Sequence, residues 1–314
     1  QKEEILSEMN QLMRDFHENY LQTARDYAES GCWEEALEIL DQCTGKSPML
    51  FYYKGYYNKK LGNMERCREE YQKADNCCPD CCFPNKTEDI AVLDDAIREY
   101  SQGAKSYYYL GCLYYDKLQS ERATELWEKS AALDDTYPTV HRNLALAYYN
   151  KKKDPQRARE ELDKAFALDE TDARVFLEMD QLHKKLGVPF EERLADYEKH
   201  SAILTERDDV MLEWVTLYNL AGKHEKAYET IMSHSFRPWE GAEGRISGQY
   251  KIALVEIAKK QIKAGDFAAA EETLEKSLVY PESLGEGRLE GTKDNNIYYY
   301  LGLVKKQLGK AEEA

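Results

Sequence analysis

Long apolar runs are missing from this sequence, and positive charge is scarce beside negative charge. No stretch approaches the roughly 18 consecutive apolar residues that a membrane-spanning helix requires. Lys and Arg total 43 against 59 Asp and Glu, so the formal net charge is −16. A surface of this sign repels nucleic acid and anionic membranes. We therefore expect neither of them to be the main partner.

Signatures of catalysis are also missing. The sequence contains no nucleophile elbow, no Gly-rich phosphate loop and no kinase motif. The six His are scattered without metal-ligand spacing, and His141, which lies in a polar run of a helix-like segment, is expected to be structural. Acids are so frequent that no glycosidase-like carboxylate pair can be singled out. The sequence therefore predicts no catalytic residue, no metal ion and no cofactor.

Four of the eight Cys crowd into residues 77–82, where Cys78 and Cys81 form a C-x-x-C pair. A zinc site needs a second pair or nearby His, and a redox pair needs a helix N-terminus. Because neither is evident, a loop-and-core role is the main interpretation, with zinc and redox chemistry as alternatives. A chain of this length can build its core without disulfides, which predicts a reducing, cytoplasmic location. The start at Gln1, without Met or an apolar leader, suggests a piece of a longer protein.

The sequence does contain an internal repeat. Leu110–Tyr114 and Leu144–Tyr148 align, with the small residues Gly111 and Ala145 34 positions apart. The same small position recurs along the chain at Ala24, Gly55, Ala258 and Gly302, with degenerate versions at Asp180 and Val215. Seven residues after most of these positions comes a glycine, namely Gly31, Gly62, Gly187, Gly222, Gly265 and Gly309. Since a left-handed Gly commonly ends a helix, the pattern predicts helix–turn–helix units.

These units resemble the tetratricopeptide repeat, a 34-residue helix–turn–helix motif. The second helices carry their own small residues, Ala36, Ala123, Ala227 and Ala270. Bulky residues are expected to fill the space around the contact between the two small positions: Tyr27, Leu40, Tyr71, Trp127 and Leu274. The predicted fold class is all-α, a solenoid of about eight units that spans residues 1–314 as a single superhelical domain.

Three insertions interrupt the period. The first, residues 76–100, contains the Cys cluster and then an amphipathic stretch from Thr87 to Tyr100, which predicts one extra helix. The other two carry Gly-Glu-Gly-Arg or a near copy of it. We call them the first Gly-rich loop, residues 236–248, and the second Gly-rich loop, residues 281–294.

The concave surface of such a solenoid is lined by its first helices and is the usual ligand surface. Its predicted lining is rich in aromatic and amide side chains: Tyr52, Tyr56, Tyr108, Tyr115, Arg142, Asn143, Tyr149, Asn150, Asn219 and Tyr299. Such side chains suit peptides or sugars. The alternative is that each Tyr packs one helix against the next. A Lys/Asn clamp for a C-terminal carboxylate is missing from the first unit, which has Leu21 and Arg25 at those positions.

The two Gly-rich loops are a second candidate for recognition. Trp239 and its charged neighbours could form a stacking platform with hydrogen-bonding groups. The candidate residues are Arg237, Trp239, Glu240, Glu243 and Arg245 in the first loop and Glu286 and Arg288 in the second. The alternative is a self-capping loop, in which each Glu accepts backbone N–H groups and binds the Arg beside it. Both interpretations remain open at this stage.

From about residue 50 onward, several motifs resemble the C-terminal repeat region of large bacterial proteins that carry an N-terminal galactose-mutarotase-like β domain of unknown function. The motifs are Cys82–Pro84, Tyr107–Gly111, His141–Ala145, Arg237–Gly241 and Tyr280–Gly287. This resemblance implies a sugar-related role. The leading hypothesis is a non-enzymatic interaction module that holds a protein, a peptide or its own N-terminal domain. The alternative is a glycan-contacting part of a carbohydrate-active enzyme.

Overall fold

The computed structural model describes residues 2–80, 82–237 and 239–310, and this part of the chain is helical without a β-strand. The all-α prediction is therefore confirmed. The chain divides into two compact units, the first up to residue 169 and the second from residue 170. That residues 1–314 form one superhelical domain stays a prediction.

The first unit contains four consecutive helix pairs, an N-terminal helix and an inserted helix. Its helices are α1 (Lys2–Met13), α2 (His17–Glu29), α3 (Trp33–Asp41), α4 (Pro48–Lys60), α5 (Met64–Asp75), α6 (Thr87–Glu99), α7 (Ala104–Asp116), α8 (Ser120–Leu133), α9 (Pro138–Ala147) and α10 (Pro155–Leu168). A π-helical turn, Tyr148–Lys152, extends α9. The pairs are α2 with α3, α4 with α5, α7 with α8, and α9 with α10.

The second unit continues the same design. Its helices are α11 (Ala173–Lys185), α12 (Phe190–Lys199), α13 (Ser201–Leu204), α14 (Asp208–Leu220), α15 (His224–Met232), α16 (Arg245–Ala264), α17 (Phe267–Ser277) and α18 (Asn295–Gln307), with a 3₁₀ turn at Glu282–Leu284. The pairs are α11 with α12, α14 with α15, and α16 with α17. Helix α18 occupies the first-helix position of the next helix pair, and the end of that pair lies outside the described residues.

The turns between paired helices follow the glycine prediction. All six predicted turn glycines have φ between 70° and 82°, the left-handed region. In the pairs α7/α8 and α9/α10 this place is taken by Leu118 (φ 62°) and Lys153 (φ 57°). A side chain with a Cβ is strained there by about 1–2 kcal/mol, so the backbone geometry is kept even where the sequence does not favour it.

Small residues bring the paired helices close together, as predicted. A Cβ added to Gly111 would lie 2.5 Å from Trp127 Nε1, and one added to Gly55 would overlap the Tyr71 ring. The Trp127 indole donates a hydrogen bond to the carbonyl of Tyr108 at 3.1 Å. The expectation that Tyr27 fills such a contact is wrong, because its side chain is 45% exposed.

In the pair α11/α12, the contact between the two helices is made by charged residues instead of small ones. Asp180 stands at the first-helix small position, and Arg193 stands where most other second helices carry Ala and α5 carries Cys67. The Arg193 guanidinium donates two hydrogen bonds to the Asp180 carboxylate, both at 2.7 Å, and a third to Glu213 at 2.8 Å. The Tyr197 hydroxyl also donates to Asp180 at 3.0 Å. Both partners of the pair are buried.

The extra helix predicted in residues 76–100 is α6. It is attached to α4 and α5 by buried polar contacts. Tyr53 donates to Asp89 at 2.7 Å, Tyr71 donates to Asp95 at 2.8 Å, and the Lys59 ammonium binds Asp95 at 2.6 Å. The inserted helix therefore packs against α4, the first helix of the pair that precedes it.

Candidate functional site

Two of the predicted groove tyrosines of the first unit are core residues. Tyr52 is 1% exposed, and its ring lies 6.2 Å from that of Tyr71 and 5.9 Å from that of Tyr109. Tyr108 is buried against the Tyr137 ring, with 5.6 Å between centroids. A side chain without an exposed face cannot meet a ligand. The prediction that these two line a groove is corrected in favour of the packing alternative.

Tyr56 is different, because it is only partly buried and faces a cavity of about 190 Å³. We call this cavity the aromatic pocket; it is formed by α2, α3, α4 and α6 and lined by Arg25, Ala28, Glu29, Trp33, Tyr53, Tyr56, Tyr57, Glu88, Ala91 and Val92. Sequence reasoning missed Trp33, since it lies at the start of a second helix rather than on a predicted groove position.

The aromatic pocket combines a buried tyrosine hydroxyl with a cation that contacts two of its rings. Tyr57 is 2% exposed, and its hydroxyl has no hydrogen-bond partner among the described residues. Burial raises the pKa of Tyr57; the Arg25 charge opposes this rise and the Glu29 carboxylate adds to it. The Lys60 ammonium lies 4.9 Å from the centre of the Tyr56 ring and 5.8 Å from that of Trp33. Two aromatic rings of the pocket thus already contact a cation.

The other predicted groove residues of the first unit lie on α7, α9 and its π-helical extension. Tyr115, Arg142 and Tyr149 are partly buried, and Asn150 is exposed. The Tyr115 ring lies 5.3 Å from that of Trp127. The Asn143 amide donates to Cys112 Sγ at 3.5 Å. That these residues bind a ligand stays a prediction.

His141 is buried, as a structural histidine would be. Its Nδ1 lies 2.6 Å from a Glu161 carboxylate oxygen and its Nε2 lies 3.1 Å from the carbonyl of Asp135. Both ring nitrogens therefore have protein partners, and the ring ties α9 to α10.

The Cys cluster is only partly described, because Cys81 and therefore the C-x-x-C pair lie outside the described residues. Its start is fixed by Lys105, whose ammonium donates to the carbonyls of Asp75 and Cys77 at 2.6 and 2.7 Å. Burial raises the pKa of the Cys82 thiol to about 12, and Cys78 is exposed. A thiol with a raised pKa is a poor nucleophile and metal ligand. Within the described ranges, no group of three or more His, Cys, Asp or Glu is placed to hold a metal ion.

In the second unit the two Gly-rich loops pack against each other. The Phe236 N–H donates to the carbonyl of Ser283 at 2.8 Å. The Glu286 carboxylate accepts hydrogen bonds from the N–H groups of Gly244 and Ser247, each at 2.7 Å. Glu286 thereby caps the N-terminus of α16, where unpaired N–H groups and the helix dipole favour a negative charge. The cap joins one loop to the other instead of closing each loop on itself.

Arg288 has a similar role within the second Gly-rich loop. Its guanidinium donates to the carbonyl of Thr292 at 3.3 Å and lies 3.2 Å from the buried Asp294 carboxylate. Asp294 also binds the Lys251 ammonium of α16 at 2.6 Å. Glu286 and Arg288 therefore have structural partners, but these differ from the self-capping alternative: Glu286 caps the other loop, and Arg288 binds Asp294.

Trp239 lies beside charged side chains, as its sequence neighbours suggested. With Arg237 it lines a shallow cavity of about 310 Å³ whose other walls are Arg207, Asp208 and Asp209. The Arg237 N–H donates to Asp208 at 2.8 Å. Glu240, Glu243 and Arg245 are exposed, and Pro238 lies outside the described residues. The recognition corner stays a prediction.

A deeper opening lies between α16, α18 and the second Gly-rich loop. This lysine cleft has a volume of about 370 Å³ and is lined by Gly244, Ser247, Gly248, Lys251, Ile252, Val255, Glu256, Lys259, Leu289, Thr292, Lys293, Asp294, Asn296 and Ile297. Val255 and Lys259 flank Ala258 at the spacing that predicted groove positions elsewhere. Sequence reasoning missed them because this repeat carries Val and Lys where the α4 repeat carries Tyr52 and Tyr56.

The lysine cleft is locally positive on an acidic chain. The Lys259 ammonium lies 2.6 Å from Glu256 and 5.3 Å from the centre of the Tyr300 ring. Burial opposes charge on Lys251, but its contact with Asp294 outweighs this and raises the Lys251 pKa. Lys293 is exposed. Three ammonium groups thus face two carboxylates in the lining.

The last two predicted groove residues lie apart from this cleft. Asn219 is buried and donates to the backbone and side-chain oxygens of Gln249 at 3.1 and 2.9 Å. Its oxygen lies 3.0 Å from His224 Nδ1. Tyr299 is 64% exposed on α18.

Paired helices with left-handed turns and small contact residues define a helix–turn–helix repeat fold, consistent with the predicted tetratricopeptide solenoid. No family model matches the sequence. Similar solved structures include a tetratricopeptide repeat protein from Parabacteroides merdae, 15% identical over 92% of this chain and 98% of its own, with a TM-score of 0.35. PilF from Pseudomonas aeruginosa is 18% identical over 69% and 89%, TM-score 0.38. A thermophilic TPR protein from Thermus thermophilus is 16% identical over 64% and 98%, TM-score 0.35.

Crossing a bilayer requires a helix that is both long and apolar. No helix of the described ranges combines these two properties.

Proposed function

We propose that this chain is a non-enzymatic interaction module that binds a protein partner along the exposed sides of its first helices. One observation carries the proposal. Groove positions of a first helix and the second Gly-rich loop are separate features of the sequence, and in the fold both line the lysine cleft. A cleft built from two repeat-specific features is a better candidate surface than either feature alone.

The charges of the lysine cleft favour an acidic segment as its occupant. Lys293 is exposed, and Lys259 is held by an i,i+3 contact with Glu256 and by the Tyr300 ring, both contacts that an incoming carboxylate can replace. Lys251 is committed to the buried Asp294 and helps to fix the wall. Charge complementarity of this type steers association and selects partners. The chain's own N-terminal domain, suggested by the resemblance to large bacterial proteins, is one partner that could supply such a segment.

A titration with a fluorescein-labelled peptide of alternating Glu and Gly tests this proposal. Reversing the charge of the accessible lysines with Lys259→Glu plus Lys293→Glu should weaken binding by about tenfold or more. The matched control is Lys263→Glu with Lys306→Glu, which makes the same charge change outside the cleft lining. Equal losses in the two double variants would indicate general electrostatics and contradict the assignment, as would the absence of binding to the unaltered chain.

The carbohydrate alternative is separated by a second measurement. Ligand that binds the native state raises the melting temperature by mass action. We expect no rise with a panel of neutral oligosaccharides at millimolar concentration. A rise with a glycan, together with no effect of the Glu peptide, would favour the alternative over the protein-binding proposal.

A further inference from the structure

We propose that the aromatic pocket of the first unit is a second binding site, which takes the arginine or lysine side chain of a basic partner segment. The pocket belongs to the other compact unit and has a different lining from the lysine cleft. The inference therefore goes beyond the proposed function and does not depend on the acidic partner proposed there.

The ring faces are the first argument. Trp33 and Tyr56 both line one cavity, and both are only partly buried, so their rings keep exposed surface there. The face of an aromatic ring attracts a cation through its quadrupole, most strongly for Trp. Two such rings at one opening both provide this attraction, so a guanidinium or ammonium group is the chemistry they suit.

Lys60 supplies the second argument, because it already places a cation against these rings. Its ammonium lies near both Tyr56 and Trp33, at 4.9 and 5.8 Å from the ring centres. Lys60 is exposed, and within the part of the chain that the structure describes its ammonium contacts only these two rings, so the side chain is held weakly and can move aside. We infer that its ammonium marks the place that a partner's cation would take.

The polar groups of the lining give the third argument. Glu29 and Glu88 are exposed carboxylates of the pocket and can balance an incoming positive charge. The net charge of −16 adds long-range attraction for a basic segment.

Arg25 is an opposing charge in the lining, and the fold already compensates it. Its guanidinium lies 5.6 Å from the centre of the Tyr53 ring and donates to Gln22 at 3.1 Å. Burial disfavours its charge, but nearby groups including Asp89 outweigh burial and raise the Arg25 pKa. Arg25 thus remains a partnered wall residue, and the incoming cation meets the Trp33 and Tyr56 side of the pocket.

A labelled Gly-Arg-Gly-Arg-Gly peptide tests the site by fluorescence anisotropy. The rings are removed at constant net charge with Trp33→Leu plus Tyr56→Leu, and binding should weaken by about fivefold to tenfold. The same peptide with citrulline in place of Arg is neutral and should bind more weakly by a similar factor. Unchanged affinity in the ring variant, or equal affinity of the Arg and citrulline peptides, would overturn the proposal.

A second pair of variants remains decisive if the ring variant does not fold. Lys60→Ala and Lys73→Ala each remove one positive charge, but Lys73 lies on α5, where its ammonium binds Glu70 at 2.5 Å. Lys60→Ala also uncovers the two rings, so the Arg peptide should bind it at least about threefold more tightly than it binds Lys73→Ala. Equal affinities would show that Lys60 does not occupy the site and would refute the assignment.

Discussion

The contact inside the α7/α8 pair and the contact inside the α11/α12 pair occupy the same place in the repeat but are built from different chemistry. In the first, Gly111 leaves room for the Trp127 ring. In the second, Asp180 and Arg193 form a buried ion pair with ideal two-point geometry. The geometry of a helix pair can therefore be kept while the source of its stability changes from apolar packing to paired charge.

The packed contact and the ion pair should respond differently to substitution. A packed contact loses stability in proportion to the volume that is added or removed. A buried ion pair adds little net stability over an apolar pair, but removing one partner leaves an uncompensated charge. The α11/α12 contact should thus be sensitive to single substitutions and tolerant of a matched double substitution.

The largest expected effect comes from breaking the ion pair. Arg193→Ala leaves the Asp180 carboxylate buried, with the Tyr197 hydroxyl as its one remaining side-chain donor among the described residues, and should lower the free energy of unfolding by about 3–5 kcal/mol. Adding Asp180→Ala restores the small–small pattern of the other pairs and should recover at least about 1 kcal/mol. Urea denaturation followed by circular dichroism measures both. A double variant less stable than Arg193→Ala would contradict the comparison.

Overfilling the packed contact is the next test. Gly111→Val forces two methyl groups against Trp127 and the carbonyl of Ala123, and should cost about 1–3 kcal/mol of unfolding free energy. Gly248→Ala in α16 is the control, because a Cβ there meets nothing within 4 Å. That substitution should stabilise by about 0.5–1 kcal/mol through helix propensity. Equal effects in urea melts would show that Gly111 is not a close-approach position.

The stability that the charged α11/α12 contact contributes should also depend on pH, unlike that of the packed α7/α8 contact. Burial opposes ionisation of Glu213, but hydrogen bonds from Lys184 and Arg193 outweigh it and lower the Glu213 pKa. A lowered pKa means that stabilisation is present above the unfolded-state value of about 4.3 and is lost as pH falls through the native value. The stability advantage of the unaltered chain over Glu213→Gln should therefore shrink between about pH 6 and pH 3 in denaturation series. A constant difference would contradict this account.

The smallest expected effect concerns the turns. Leu118→Gly relieves left-handed strain at an exposed position and should stabilise by about 0.5–1 kcal/mol after the entropic cost of Gly. The reverse exchange at an equivalent turn, Gly62→Ala at φ 81°, should destabilise by about 1 kcal/mol. Thermal melts of the two variants measure the effects, and shifts of the same sign would refute the turn equivalence.

Much of the fold could be predicted because it depends on residue size at a fixed period. Gly55 and Gly111 identified close contacts, and Gly31 and Gly309 identified left-handed turns, from spacing alone. Asp180 was recognised only as a degenerate position, since its partner Arg193 also departs from the small-residue pattern. Two substitutions that compensate each other in the fold cannot be recognised as a pair from a single sequence.

The candidate sites were less predictable, because they depend on which side of a helix a residue faces and on contacts distant in sequence. Tyr52 and Tyr56 lie on successive turns of α4, yet one is core and the other lines the aromatic pocket. Glu286 caps the start of α16, a helix that begins about 40 residues earlier in the chain. The repeat period does not predict a contact of this kind. Trp33 was missed because it begins a second helix, and Lys259 because the groove prediction favoured aromatic and amide side chains.

Amide hydrogen exchange of the whole chain, with and without the Glu peptide and the Arg peptide, tests most directly whether the first helices carry binding. We predict slower exchange in α16 and α18 with the Glu peptide, and in α2 and α4 with the Arg peptide, while α5 and α8 are unchanged. Slower exchange confined to second helices, or to the Cys-containing segment at 77–86, would contradict the account.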